Sequence, residues 1–167
     1  NPDYKAVFEE QLARLQTDHI DFYLIHCLMD NNIDQYLESS CIDYFLEQKA
    51  QGRITYLGFS SHAGVQTLER FADHHAWDFA QLQINYYDWL YGTTKEEYQI
   101  LADRNIPIMV MEPVRGGRLA DLTPEADALL QKAHPDWSIA SWALRFVESL
   151  PQVQVILSGM STMEQME

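Results

Sequence analysis

Arg115-Gly116-Gly117-Arg118 is the one segment of this chain that joins paired glycines to two cations. Glycines let backbone N–H groups come close to a pyrophosphate, and a basic neighbour supplies the compensating charge. Paired glycines in a turn most often serve only the turn. Here they follow an apolar run, Ile106 to Met111, which is where a phosphate loop leaving a strand would lie. His26 is the second residue with chemistry to offer. It closes the run Ile20-Asp21-Phe22-Tyr23-Leu24-Ile25, so its ring either packs as a satisfied core histidine or projects from a strand end as a hydrogen-bond donor. His19, His62, His74, His75 and His134 show no ligand spacing with a carboxylate partner, which argues against a metal site. Cys27 and Cys41 match no CxxC redox or zinc pattern, and a reduced, cytoplasmic setting follows as the default.

The elements that would position these residues come from the apolar periodicity. Five short, mostly apolar runs read as strands: Ile20 to His26, Ile54 to Phe59, Phe79 to Ile84, Ile106 to Met111, and Val153 to Leu157. Between them lie helical stripes. Phe8, Leu12 and Leu15 form the first, Ile42, Phe45, Leu46 and Lys49 a second ending near Gly52, and Val65, Leu68, Phe71 and Ala72 a third. Lys95 to Asp103, a short helix from Pro124, and Ile139, Trp142, Ala143 and Phe146 continue the series, and Thr162 is placed to cap a last helix. Near-continuous apolar strands alternating with amphipathic helices require an α/β fold with a parallel sheet covered on both faces. Each strand ends in a polar or small cluster: His26-Cys27, Ser60-Ser61-His62, Asn85-Tyr86-Tyr87, Glu112-Pro113 and Ser158-Gly159. Polar residues at every carboxyl end favour part of a (β/α)₈ TIM barrel over an open sheet, which would gather them at one switch point. No GxGxxG opens a dinucleotide-binding βαβ unit.

Composition narrows the function classes. A formal net charge of −14 over 167 residues excludes a general nucleic-acid binder and gives no attraction to anionic membranes. No apolar run is long enough to span a bilayer, and no segment resembles a signal peptide. With no linker, low-complexity tract or charge block, residues 1–167 read as a single domain.

Taken in order, these segments resemble the aldo-keto reductase family. Leu15 to His26 is similar to the stretch leading through the fourth barrel strand into a catalytic His, Gly58-Phe59-Ser60-Ser61 to the end of the fifth, and Gln83-Ile84-Asn85-Tyr86 to the end of the sixth. Met111-Glu112-Pro113-Val114-Arg115-Gly116-Gly117-Arg118-Leu119 resembles the seventh strand and its phosphate loop. Ser138 to Phe146 and then Ile156-Leu157-Ser158-Gly159-Met160-Ser161 resemble the seventh helix and eighth strand. Each motif is weak alone, and their ordered succession is specific. The Ser-Ser-His and Met-Glu-Pro variants are most similar to a prokaryotic branch whose members often carry C-terminal iron–sulfur modules, so any such cluster would belong outside this chain.

The resemblance implies a C-terminal barrel portion, strands four to eight, of an NAD(P)-dependent oxidoreductase that moves hydride between nicotinamide and a small carbonyl or alcohol substrate. His26 would be its catalytic residue, donating a hydrogen bond to the substrate oxygen. Ser60, Ser61 and Gln83 would hold the nicotinamide carboxamide, which presents one acceptor and two donors. Met111 stands where many members stack an aromatic on the ring; its polarizable sulfur suits that role, and a core position suits it equally. Pro113, Arg115, Gly116, Gly117 and Leu119 would form the phosphate loop, and Ser158, Gly159, Met160 and Ser161 the far end of the cofactor site. Members that prefer NADPH commonly place a Lys near Met160 and an Arg near Met166; neither is present, which leaves NADP and NAD both open.

The family's proton donor is a Tyr whose pKa is lowered by a Lys paired with an Asp. Those residues belong to barrel strands that the resemblance puts upstream of Asn1, and Tyr86 and Tyr87 are not substitutes for them. The expectation is therefore that this chain alone does not turn over substrate. The rival reading is a non-catalytic cofactor-sensing or binding module of the same fold. A sugar-phosphate isomerase or metal-dependent hydrolase barrel would need carboxylates or histidines at several strand ends, and only His26 fits. Five barrel strands also leave two sheet edges to be covered by further chain segments or by self-association.

Overall fold

In the computed structural model, which describes residues 3–166, helix α1 (Tyr4–Leu15) begins where the Asp3 carboxylate accepts the Ala6 N–H at 3.3 Å. It buries Phe8 and Leu12, one helical turn apart. It stops where Gln16 takes a left-handed conformation, φ 55°, and returns its N–H to Leu12 and Ala13. Leu15, the third member of the stripe, is exposed.

Strand β1 (Ile20–Leu28) follows, then α2 (Ile33–Glu38), α3 (Cys41–Ala50), β2 (Ile54–Ser61), α4 (Val65–Ala72) and β3 (Phe79–Gln83). The chain continues through α5 (Tyr86–Tyr91), α6 (Thr94–Asp103), β4 (Ile108–Met111), α7 (Pro124–Ala133), α8 (Ile139–Glu148) and β5 (Val153–Ile156). The strands belong to one sheet ordered β1-β2-β3-β4-β5. β1 pairs in parallel with β2, and β4 with β5, the pattern that helical crossovers impose.

All five strands form where the apolar runs predict them. Two helices do not appear in the periodicity. α2 is six residues long and buries only Ile33, while α5 is six residues long, rich in aromatics, and buries none of its residues, so neither shows a stripe to read. Conversely, the expected helix after Thr162 is a turn. Thr162 Oγ1 does accept the Gln165 N–H at 3.3 Å, as an N-cap would, but the Met166 N–H bonds to Met163 O and closes a tighter ring. Among the described residues no helix is long and apolar enough to cross a membrane.

The contacts gather into two compact units, Asn1–Ala80 and Gln81–Glu167. In the first, Phe8 and Phe45 meet Tyr23 at 5.2 and 4.8 Å between ring centroids, sealing one face of β1 under α1 and α3. Burial pushes the Tyr23 phenol up to about 12, with the neighbouring Tyr44 adding to the rise. Phe71 stacks on Trp77 at 5.0 Å, and Phe59 meets both rings. The other face of β1 and β2 departs from the expectation of full cover. Phe22 and Tyr56 stack on each other at 4.9 Å with about half of each side chain exposed. In the second unit the core is largely aliphatic, with Leu82, Ile84, Leu101, Ile108, Val110, Ala143 and Val147 buried beside Tyr98.

Candidate functional site

The carboxyl end of β1 is built around an irregularity. Ile25 opposes Phe59 and Leu28 opposes Ser61, so β1 carries one residue more than β2 over that step. The extra residue is a β-bulge, a device that bends a strand and re-aims its side chains. Cys27 takes the strain, with φ at 65°. Its N–H donates to Ser60 Oγ at 2.8 Å, and its carbonyl accepts from Asn32 Nδ2 at 2.9 Å. His26 is exposed, and its carbonyl accepts the Tyr36 O–H at 2.8 Å. The imidazole lines a cavity of about 820 Å³ along β1, together with Gln11, Leu15, Phe22, Leu24 and Tyr36.

Ser60 and Ser61 lie at the end of β2, but both are buried. Ser60 Oγ receives the Cys27 N–H, and Ser61 Oγ receives the Ala63 N–H at 3.1 Å. Each hydroxyl thus already has a structural partner, and neither residue lines the cavity that His26 does. Tyr36 is the tyrosine bonded to His26, and its phenol is not tuned to be a proton donor. Burial, then the neighbouring Cys41 and Cys27, raise its phenol above the ordinary value, the opposite of what a catalytic acid at neutral pH needs.

The second unit holds a denser polar constellation at the ends of β3 and β4. Asn85 is fully buried and caps α5, its Oδ1 accepting the Asp88 N–H at 2.9 Å. Its Nδ2 donates to Asp88 Oδ2 at 2.7 Å and to the Glu112 carbonyl at 3.3 Å. Gln83 Nε2 donates to the same Asp88 Oδ2 at 2.9 Å. Arg115 Nε donates to Asp88 Oδ1 at 3.1 Å, while the guanidinium lies over the Tyr87 ring at 4.4 Å. Burial acts to raise the Asp88 carboxyl. The hydrogen bonds from Gln83 and Asn85 and the charge of Arg115 outweigh it, and hold the group below its usual range.

Residues 113–120 form the loop after β4 as a run of turns. Its entry is strained at Glu112, φ 56°, and Arg115, φ 51°. Gly116 and Gly117 follow at φ 62° and 88°, a conformation open to glycine without cost. A methyl group at Gly117 would meet nothing within 4 Å, so the backbone there is open to close approach. The Gly117 N–H itself already bonds to Val114 O at 3.1 Å, as the Leu119 N–H does. Pro113 and Leu119 are buried and anchor the loop at either end. Met111 is half-buried, its sulfur accepting from Gln81 Nε2 at 3.4 Å, an ordinary core contact.

Beyond β5, Ser158 is half-buried, whereas Gly159, Met160 and Ser161 are exposed. The Ser161 N–H donates to Gln165 Oε1 at 2.7 Å. Met160 and Met166 are both exposed, offering no cation for a 2′-phosphate. Burial raises the Tyr86 phenol, whose oxygen has no hydrogen-bond partner among the described residues; the ring packs edge-on to Phe146 at 6.3 Å.

Asp88 is absent from the sequence reading, and Asn85 enters it only as part of a polar strand end. A signal for their pairing existed. Asn85-Tyr86-Tyr87-Asp88 has the N-cap residue and the acid three places on that open a helix.

The model of the family described as the aldo/keto reductase family matches residues 3–167. The chain is 24% identical over 184 residues to the uncharacterized oxidoreductase YqkF of Bacillus subtilis (strain 168), covering 97% of this chain and 57% of that protein. Among solved structures, the holo form of aldo-keto reductase AKR11C1 from Bacillus halodurans superposes with a TM-score of 0.79 at 25% identity, over 97% of this chain and 56% of that one. An aldo/keto reductase from Klebsiella pneumoniae, in complex with NADP and acetate, gives a TM-score of 0.63 at 24% identity, over 99% of this chain and 58% of that one. The α/β fold with parallel strands is thus that of a partial (β/α)₈ barrel. The chain spans a little over half the length of the relatives it matches.

Proposed function

Because the chain belongs to the aldo/keto reductase family, we propose that it carries the dinucleotide-holding part of an oxidoreductase acting on a small carbonyl or alcohol. The observation that carries this reading is the loop after β4. Two glycines at positive φ, an open backbone and a half-exposed Arg115 stand together at a strand end, which is the chemistry a pyrophosphate requires. The NADP complex of the Klebsiella pneumoniae protein supports the same assignment.

In this reading a nicotinamide cofactor, NADP or NAD, supplies or accepts the hydride when bound. The Nη groups of Arg115 hold an anion, and the Gln83 amide carbonyl accepts from a carboxamide. Ser60 and Ser61 are the weaker contacts, since both hydroxyls are buried and bonded to backbone N–H groups. His26 donates to the substrate oxygen and orients it. A pocket for the substrate is best supported along β1, where His26 lines the large and mostly apolar cavity. A cytoplasmic setting fits the unpaired Cys27 and Cys41. The outer strands β1 and β5 would be covered by further chain or by a second copy.

Titration of the purified chain with NADH and NADPH tests the reading. Binding is expected, and Arg115→Gln should weaken it by about tenfold, the scale of a charge-assisted hydrogen bond. An unsubstituted chain that binds neither dinucleotide would reject the assignment. With a panel of aldehydes the chain alone should show no turnover, because His26 is the one member of the family's catalytic set that it matches; robust turnover would overturn that expectation.

A further inference from the structure

Asp88 lies at the centre of the polar constellation of the second unit, and its two carboxylate oxygens have different tasks. Oδ2 accepts from two amides, Gln83 Nε2 at 2.9 Å and Asn85 Nδ2 at 2.7 Å. Oδ1 accepts from Arg115 Nε at 3.1 Å. The guanidinium is therefore gripped along one edge by the carboxylate and on one face by the Tyr87 ring. A guanidinium has five N–H donors, and Asp88 takes the one on Nε, so the Nη donors are those left to face an anion. On the other side, Gln83 gives an N–H to Asp88, which fixes the amide with its carbonyl oxygen as the group left to accept.

We propose that Asp88 is a positioning residue, which sets the Arg115 guanidinium and the Gln83 amide in the orientations that a dinucleotide needs. The inference rests on the functional reading above and deepens it. Arginine on a turn-rich loop has many rotamers, and an anion that binds it must otherwise order the side chain itself. The Asp88 carboxylate meets that ordering cost in advance, at the expense of some positive charge, since the pair is formally neutral. Asp88 touches neither phosphate nor ring in this account and acts only through its two neighbours.

Asp88→Asn is the discriminating substitution, because it keeps shape and removes one acceptor. Two donors converge on the Oδ2 position and one on Oδ1, so the new amide places its oxygen toward Gln83 and Asn85 and its NH₂ against Arg115 Nε. The cap of α5 is kept and Arg115 is released. The unsubstituted chain, D88N, R115Q and the double variant are titrated with NADH and NADPH, following tryptophan fluorescence, for which Trp89 is the adjacent reporter. Thermal unfolding of each variant serves as the check on folding.

The expected result is about a tenfold weaker affinity for D88N, at least as large a loss for R115Q, and no further loss in the double variant. That non-additivity is what action through Arg115 means, and a merely structural role would not produce it. Unchanged or tighter binding by D88N, or losses that simply multiply, would overturn the inference while leaving dinucleotide binding intact. An unsubstituted chain that binds neither dinucleotide overturns the functional reading and the inference together. If D88N does not fold, Asp88→Glu, which keeps the charge and shifts it by one methylene, is measured in the same cycle with the same expected coupling.

Discussion

The ends of β1 and β2 and the ends of β3 and β4 are both polar, and they use their polarity in opposite ways. In the first region the hydroxyls of Ser60 and Ser61 are buried and receive the N–H groups of Cys27 and Ala63. Ser60 thereby holds the bulge beside His26, and Ser61 the turn after β2. In the second, Asp88 and Arg115 are only partly buried. They leave guanidinium donors and open glycine backbone at the surface. Polar groups that satisfy one another inside the fold hold geometry; polar groups with donors to spare can hold a ligand. On the proposed function, the first region is scaffold and orients the substrate, and the second binds the anion.

The largest effect that can separate the two regions is a core deletion in the first unit. Phe71 is fully buried between Phe59 and Trp77, and Phe71→Ala should cost about 3–5 kcal/mol. The measurement is urea unfolding of the variant against the unsubstituted chain. A loss well under that range would show that the aromatic cluster closes around the gap.

Ser60→Ala is a finer cut. It strands the Cys27 N–H at the bulge and should destabilise by about 1–3 kcal/mol, with only a small loss of dinucleotide affinity, as befits a weak contact. Full stability combined with a large loss of NADH binding would invert the comparison, making Ser60 a principal ligand contact and the bulge self-supporting.

The smallest effect concerns pH. The Asp88 carboxyl is held below its unfolded value, so the folded chain binds that proton more weakly than the unfolded one. Its contribution to stability is complete above the unfolded carboxylate pKa and is lost as pH falls through the lower, folded pKa. Because Asp88 is partly exposed, the contribution is small. Acid unfolding of D88N should therefore show a slightly shallower loss of stability below pH 4 or so than the unsubstituted chain. An identical slope in the two would mean that the carboxylate is not held by its neighbours in solution.

Much of this molecule is written in local pattern. The five strands, the stripes at Phe8 and Leu12 or Leu68 and Phe71, and the glycine pair after β4 are read directly from residue spacing, because burial of one face imposes a period on the chain. The ordered strand-end segments are enough to resemble one family, and the family model matches the same stretch. Other features depend on residues distant in sequence. The bulge at Cys27 arises from a register set by β2, 33 residues away. The burial of Ser60 and Ser61 follows from the same pairing. Asp88 and Arg115 are 27 residues apart, and nothing in either local sequence states that they meet. What the sequence determined by itself is which elements form and which residue types stand at their ends. Only tertiary structure decided which of those polar ends are satisfied internally and which remain open, because a hydrogen-bond partner is set by proximity in space and not by spacing along the chain.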